Sequence, residues 1–272
     1  MTGARGLPRR PVRERRWLAT PRFFERPEPA LAAIAPAGAA INDARIGGRG
    51  PADMARLHAP VRAFVAEAAR AGALPVSLAG DCCAALPVLA GLQEAGLAPT
   101  LVWLDAHGDF NTPRTSPSGF LGGMPLAMIA GRGPGWLREG AGLAPLAERD
   151  ILLVGARDLD PLERAALDDS DVRRIDLEAL AGLRPAGPVH LHLDTDLVAA
   201  EECAAFNHPV PGGPGGEAVG RAIAAFAAVA DIRAVSVSGW TGALDGDGAA
   251  ARLFARILAP FGARSPQPRA RT

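Results

Sequence analysis

Lysine and tyrosine are both missing from this chain of 272 residues: all 29 basic residues are arginine. Without a side-chain amine there is no Schiff base, no pyridoxal phosphate anchor and no Walker-type phosphate loop. The lysine that stabilises phosphoryl intermediates in many phosphotransferases is absent with it. Cysteine is scarce: Cys82, Cys83 and Cys203 are too few for a disulfide scaffold, and the first two are adjacent, a spacing that disfavours a bridge between them. Net charge is lacking too, because 29 Asp and Glu balance the arginines and set the pI near 7.0, so neither nucleic acid nor an anionic membrane is an expected partner. The longest strongly apolar stretch, residues 222–230, falls far short of a bilayer span. The Arg-rich first sixteen residues lead into no apolar signal-peptide core. A soluble, cytoplasmic protein is the expectation.

What is present is core-forming material. The chain is 49% hydrophobic with a mean hydropathy of +0.11, which excludes wholesale disorder. Short apolar runs at 74–78, 100–104, 151–154, 189–193 and 234–237 read as strands. They alternate with Ala/Leu/Arg-rich segments at 52–71, 83–95, 161–167, 216–230 and 247–258 that read as helices. Near-continuous apolar strands separated by helices predict a parallel sheet covered on both faces. The expected fold class is therefore α/β, a single-domain, three-layer, doubly wound parallel sheet spanning 17–261. A basic, mobile N-terminal arm (1–16) and a Pro/Arg/Ser tail (262–272) are expected to flank it.

In such folds ligands sit beyond the carboxyl ends of the strands, and the residues there are unusual. The run 100–104 is followed by Asp105-Ala106-His107-Gly108-Asp109, in which i, i+2 and i+4 side chains point the same way while the chain stays extended. The run 189–193 is followed by Asp194-Thr195-Asp196, and 74–78 by Ala79-Gly80-Asp81-Cys82. Taken singly, Asp-x-His-x-Asp is more often a loop of caps and Asx-turns, and Cys82 a small buried apolar side chain. Together, three strand ends supply four carboxylates (Asp105, Asp109, Asp194, Asp196), an imidazole and a thiol. Such a cluster calls for divalent cations as its counter-charge.

These motifs resemble the arginase (ureohydrolase) family. Residues 104–113, Leu-Asp-Ala-His-Gly-Asp-Phe-Asn-Thr-Pro, are similar to its central metal motif and substrate loop, and Ser118-Gly119 and Gly123-Met124-Pro125 continue the match. Leu193-Asp194-Thr195-Asp196 is similar to the second metal motif, with Pro209-Val210-Pro211-Gly212-Gly213 after it. Gly155-Ala156-Arg157-Asp158-Leu159-Asp160-Pro161, with Glu163, resembles the stretch that binds the substrate amino group. The resemblance runs from about residue 74 to 260. It implies an arginase-like fold and a metal-dependent amidinohydrolase with two Mn(2+) ions. Asp105 and Asp194 would bridge the ions, His107 and Asp196 would complete one site, and Cys82 and Asp109 the other. A hydroxide between the ions would attack the guanidino carbon of a small guanidino amino acid and release urea or a urea derivative. Asp109 and His107 would be the catalytic side chains, and Asn111, Ser118, Asp160 and Glu163 would hold the amino-acid head group. A homo-oligomer, trimer or hexamer, is implied as well.

The chain departs from that pattern at three places. Cys82 stands where most members carry histidine; thiolate suits zinc or iron better than manganese, so one site is expected to be weakened or altered. Cysteine there is associated with the hydroxyarginine hydrolases of the family, which makes an N-hydroxyguanidino substrate an expectation. Gly122 replaces a proton-shuttling histidine, for which His208 or His192 is a candidate substitute. Gly239 replaces a glutamate that pairs with the guanidinium, a charge-assisted hydrogen bond of about 1.5–3 kcal/mol. These changes motivate an alternative, a catalytically impaired paralogue that binds metal or ligand. A third reading takes Asp194-Thr195-Asp196-Leu197-Val198 as the nucleophile pattern of aspartate phosphatases, which generally need the lysine this chain lacks.

Overall fold

The computed structural model describes residues 13–263 apart from residue 204; most of the expected arm (1–12) and tail (264–272) lies outside the described residues. In chain order the elements begin with β1 (Arg15–Thr20), β2 (Arg22–Phe23), β3 (Arg26–Pro27), α1 (Ala30–Ile34) and β4 (Ala40–Ile41). Then come α2 (Pro51–Arg70), β5 (Leu74–Ala79), α3 (Ala85–Glu94) and β6 (Thr100–Leu104). The middle of the chain forms α4 (Pro125–Ile129), α5 (Gly135–Ala141), β7 (Ile151–Val154), α6 (Pro161–Asp168), β8 (Arg173–Ile175) and α7 (Leu177–Leu180). Finally come β9 (Pro188–Asp194), α8 (Gly216–Ala227), β10 (Asp231–Ser238) and α9 (Ala249–Ile257).

Among the described residues one sheet has eight strands in the order β4-β1-β5-β10-β9-β6-β7-β8, and every pairing in it is parallel. This is the expected α/β class. The five apolar runs are five of its six inner strands, β5, β10, β9, β6 and β7. Strand β1 starts at Arg15, two residues inside the expected arm.

Alternate strand residues feed opposite layers, as the pleat requires. Val102 and Leu104 of β6 join Val189, Leu191 and Leu193 of β9 in a core closed by Phe226 of α8 and Phe254 of α9. Leu101 and Trp103 of β6 face the other way, onto Leu57 of α2, Leu86 and Leu89 of α3 and Leu126 of α4. The helices start where local chemistry allows. Pro51 and Asp53 open α2, where a missing N–H costs nothing and a carboxylate meets the positive end of the helix dipole. No helix of the described residues is long and apolar enough to cross a membrane.

Candidate metal centre and binding pocket

The carboxyl ends of four adjacent strands, β5, β10, β9 and β6, form the floor of a cleft of about 470 Å³. Three of these ends, those of β5, β9 and β6, turn by using an aspartate as a cap. After β5, Asp81 accepts from Cys83 N at 3.1 Å and Phe24 N at 3.0 Å, which opens the short turn bearing Cys82. Burial pushes the Asp81 carboxyl up to about 6, and these N–H donors oppose the shift. After β9, Asp194 accepts from Asp196 N at 3.0 Å, which aims both carboxylates into the cleft. After β6, Asp105 accepts from His107 N at 2.7 Å and from Trp103 Nε1 at 2.9 Å. Asp109 then sits in the left-handed region at φ 49°, a conformation Asp tolerates better than most residues and one that clusters at functional sites.

The six sequence-predicted ligand residues converge. Ligand atoms of Cys82, Asp105 and Asp109 lie within 4.8 Å of one another, as do those of Asp105, His107 and Asp196, so Asp105 is common to both groups. Cys82 Sγ donates to Asp194 Oδ2 at 2.7 Å, which ties the sixth residue in. His107 Nδ1 is 3.0 Å from Asp196 Oδ2 and 3.5 Å from Asp105 Oδ1. Burial alone would lower this imidazole, but hydrogen bonds and charges from Asp105 and Asp196 prevail and push it up to about 12. Burial, with Asp105 next, drives the Asp109 carboxyl well above its usual range, and burial with Asp196 does the same to Asp194. Asp196 is raised to about 6 by burial first and then by Asp105. Burial and then Asp194 also push the Cys82 thiol well up.

These residues fit divalent cations. Four buried carboxylates meet one imidazole, and Asp109 Oδ2 is buried with no hydrogen-bond partner among the described residues. Oxygen and nitrogen donors suit manganese, and the lone sulfur is the softer member.

Asn111, Ser118, Asp160 and Glu163, the residues expected to hold a head group, line the same cleft. Asn111 Nδ2 donates to Asp160 Oδ2 at 2.9 Å, and Asn111 Oδ1 accepts from Thr115 Oγ1 at 2.9 Å. Glu163 accepts from Phe110 N at 2.8 Å through one oxygen and from Asp160 N at 3.2 Å through the other. It thereby joins the start of α6 to the chain after Asp109, and burial pushes its carboxyl up to about 7. Gly108 makes this approach possible: a Cβ there would lie 2.7 Å from the Glu163 carboxyl. Ser118 is exposed at the rim.

The two glycine departures have structural counterparts. Gly239 adopts φ +89°, and a Cβ there would lie 2.1 Å from Asp194 Oδ1, so this backbone admits no side chain. At Gly122 the Phe120 ring fills the space, with a ring carbon 2.4 Å from where a Cβ would sit. Phe23, Phe120 and Asn207, which carried no sequence signal, complete the wall. Phe23 stacks on Phe120 with centroids 6.3 Å apart, and Phe120 meets His208 at 5.0 Å. His208 also faces His107, edge to face, at 6.4 Å. Asn207 and Asp158 line the cleft beside them. His192 instead lies beneath the floor, stacked on Trp103 at 3.7 Å.

Comparison with known proteins bears on this arrangement. The family model described as the Arginase family matches residues 28–262. The chain belongs to the arginase family. The match begins well before residue 74 and takes in α1, β4 and α2, while β1, β2 and β3 precede it. An arginase of Bacillus subtilis (strain 168) is 35% identical over 153 residues, 51% of this chain and 52% of that protein. An arginase of Brevibacillus brevis is 35% identical over 164 residues, 55% of each chain. In these alignments the chain spans about half the length of the relatives it matches. In fold, the native arginase from Bacillus caldovelox superposes with a TM-score of 0.80 at 23% identity, covering 93% of this chain and 99% of that one. An agmatine ureohydrolase of Thermoplasma volcanium follows at 0.62 and 17%, covering 92% and 88%. With the arginase-family fold established, the aspartate-phosphatase reading of residues 194–198 lapses, since Asp194 and Asp196 are joined to Cys82 and His107 instead.

Proposed function

We propose that this arginase-family member is a binuclear-metal-dependent hydrolase of a C–N bond in a guanidino or N-hydroxyguanidino amino acid. The observation that carries the reading is the pair of three-residue groups of possible ligands that share the buried Asp105 and whose other members, Cys82, Asp109, His107 and Asp196, line the cleft. Cys82, Asp105, His107, Asp109, Asp194 and Asp196 would hold two Mn(2+) ions. Bound cations supply the acidification of water and the polarisation of the scissile carbon's substituents that amidine hydrolysis needs.

The chain's own groups do the rest. Asp109 Oδ2, held by its left-handed backbone, accepts the proton of the attacking water and returns it to the leaving nitrogen. His107 is clamped between Asp105 and Asp196, which fixes Nδ1 toward the cluster. On the opposite wall the Asn111–Asp160 pair, Glu163 and Ser118 receive the amino-acid head group. Although both Glu163 oxygens accept backbone N–H groups, each keeps a further lone pair for a substrate ammonium. The N-hydroxyguanidino alternative is favoured by Gly239, which leaves no carboxylate for a charged guanidinium and no room to install one. The same feature favours a second reading, an impaired paralogue that binds metal or ligand without turnover.

Manganese-loaded protein assayed against arginine, N-hydroxyarginine and agmatine, with urea and hydroxyurea quantified separately, tests the proposal. Product from at least one, with two ions bound per chain, supports it; no product with zero or one ion supports the binding protein. The reading includes a cytoplasmic homo-oligomer, trimer or hexamer, which sedimentation of the full chain checks.

A further inference from the structure

Beneath Cys82 the two central strands carry a row of polar side chains to which hydrolysis assigns no role. His190 and His192 of β9 and Ser236 and Ser238 of β10 are all buried, none more than 3% exposed. The parallel register sets Ser236 opposite His192 and Ser238 opposite Asp194, so the i, i+2 spacing aligns the row on one face. The contacts run without a gap. His190 Nε2 and His192 Nδ1 each lie 2.8 Å from Ser236 Oγ, and His192 Nε2 lies 3.3 Å from Ser238 Oγ. Ser238 Oγ is 3.0 Å from Cys82 Sγ, which donates onward to Asp194 Oδ2.

Counting protons gives this chain a direction. Neither ring has a carboxylate at ion-pair distance among the described residues, and burial pushes His190 down to about 3, so each imidazole carries one N–H. Ser236 has one O–H for two ring partners; it donates to one and accepts from the other. If it donated to His190, that ring's N–H would sit on Nδ1, which has no partner, leaving a buried orphan donor. Donation to His192 Nδ1 leaves only a lone pair unpartnered at His190. The His192 N–H then lies on Nε2 and is given to Ser238, whose own O–H turns to the sulfur.

We propose that His190, Ser236, His192 and Ser238 form a one-way hydrogen-bond chain that delivers a hydroxyl donor to Cys82 Sγ, with Ser238 as the residue that positions this sulfur for cation ligation. The inference rests on the reading of Cys82 as a ligand. Outer partners of this kind orient a ligand and tune its donor strength.

Two measurements separate the chain from that reading. Imidazole 15N NMR of the metal-free protein is expected to show His190 and His192 both as Nε2–H tautomers; an Nδ1–H tautomer at either position overturns the direction. Cobalt(II) is then titrated into wild type, Ser238→Ala, Cys82→Ala and the double variant. Ser238→Ala should weaken the sulfur-containing site roughly 10- to 100-fold and move the sulfur-to-cobalt charge-transfer band to longer wavelength. In the Cys82→Ala background the same change should alter nothing. Ser236→Ala, one link earlier and remote from the cation, should shift the band the same way by less. Equal losses with and without Cys82 would show that Ser238 acts on the fold alone and overturn the proposal. A wild-type cobalt complex without the band would overturn Cys82 as a ligand, whatever tautomers the NMR finds.

Discussion

The two sides of the ligand cluster solve the same electrostatic problem differently. On the His107 side the imidazole is 27% exposed and lies between Asp105 and Asp196, so two carboxylates meet a cationic partner supplied by the protein. On the Cys82 side everything is buried: the thiol leans on Asp194, Asp109 Oδ2 has no partner, and support comes from the neutral row of Ser238 and His192. One side is balanced by charge and the other by proton position. The contrast teaches that the buried side depends more on an added cation, since uncompensated carboxylates away from water otherwise take up protons.

Removing the residue common to both sides should have the largest effect. Asp105→Ala is expected to lower kcat/KM on the best substrate on the order of 10³-fold or more, several kcal/mol of lost stabilisation. Cation stoichiometry by equilibrium dialysis should fall with it; activity and stoichiometry equal to wild type would erase the distinction between the sides. Gly239→Glu, which restores the family's carboxylate, should fail to raise arginine turnover because the new Cβ meets Asp194. Its strain should cost about 2 kcal/mol and lower Tm by roughly 5 °C in calorimetry. Cys82→His should sharpen the comparison by making the buried side nitrogen-based. Manganese affinity there should rise about tenfold, ~1.4 kcal/mol, while zinc affinity does not, as titration calorimetry would read. Glu163→Gln, outside the cluster, should leave stoichiometry unchanged and cost about 1 kcal/mol of stability through the start of α6.

The inner sheet was legible because strands buried on both faces need apolar residues at nearly every position, which gives β7 an unbroken run, β6 one after Thr100 and β5 one interrupted only by Ser77. The outer strands were not. Strand β8 is Arg-Arg-Ile and β4 has two residues, because charge and shortness are how an edge avoids further pairing, and β1, flanked by β4 and β5, opens with two arginines. The candidate ligands were legible because i, i+2 spacing at a strand end leaves side chains on one face, and Asp105, His107, Asp194 and Asp196 obey it. Phe120 and Asn207 reach the cleft from irregular segments and Phe23 from a two-residue strand, too short to show a period. The row beneath Cys82 had a signal that only the fold interprets: His-x-His and Ser-x-Ser inside apolar strands, whose register decides whether they meet.

The close approach of Gly108 to Glu163 has a mechanical consequence. One carboxylate grips the backbone at Asp160, where α6 starts, and at Phe110, one residue past Asp109. Fraying of the first turn of that helix would therefore loosen the peptide that aims Asp109, and the pocket floor and α6 should open as one unit in hydrogen exchange. A helix that touches no cation would then set how long the cluster keeps its shape.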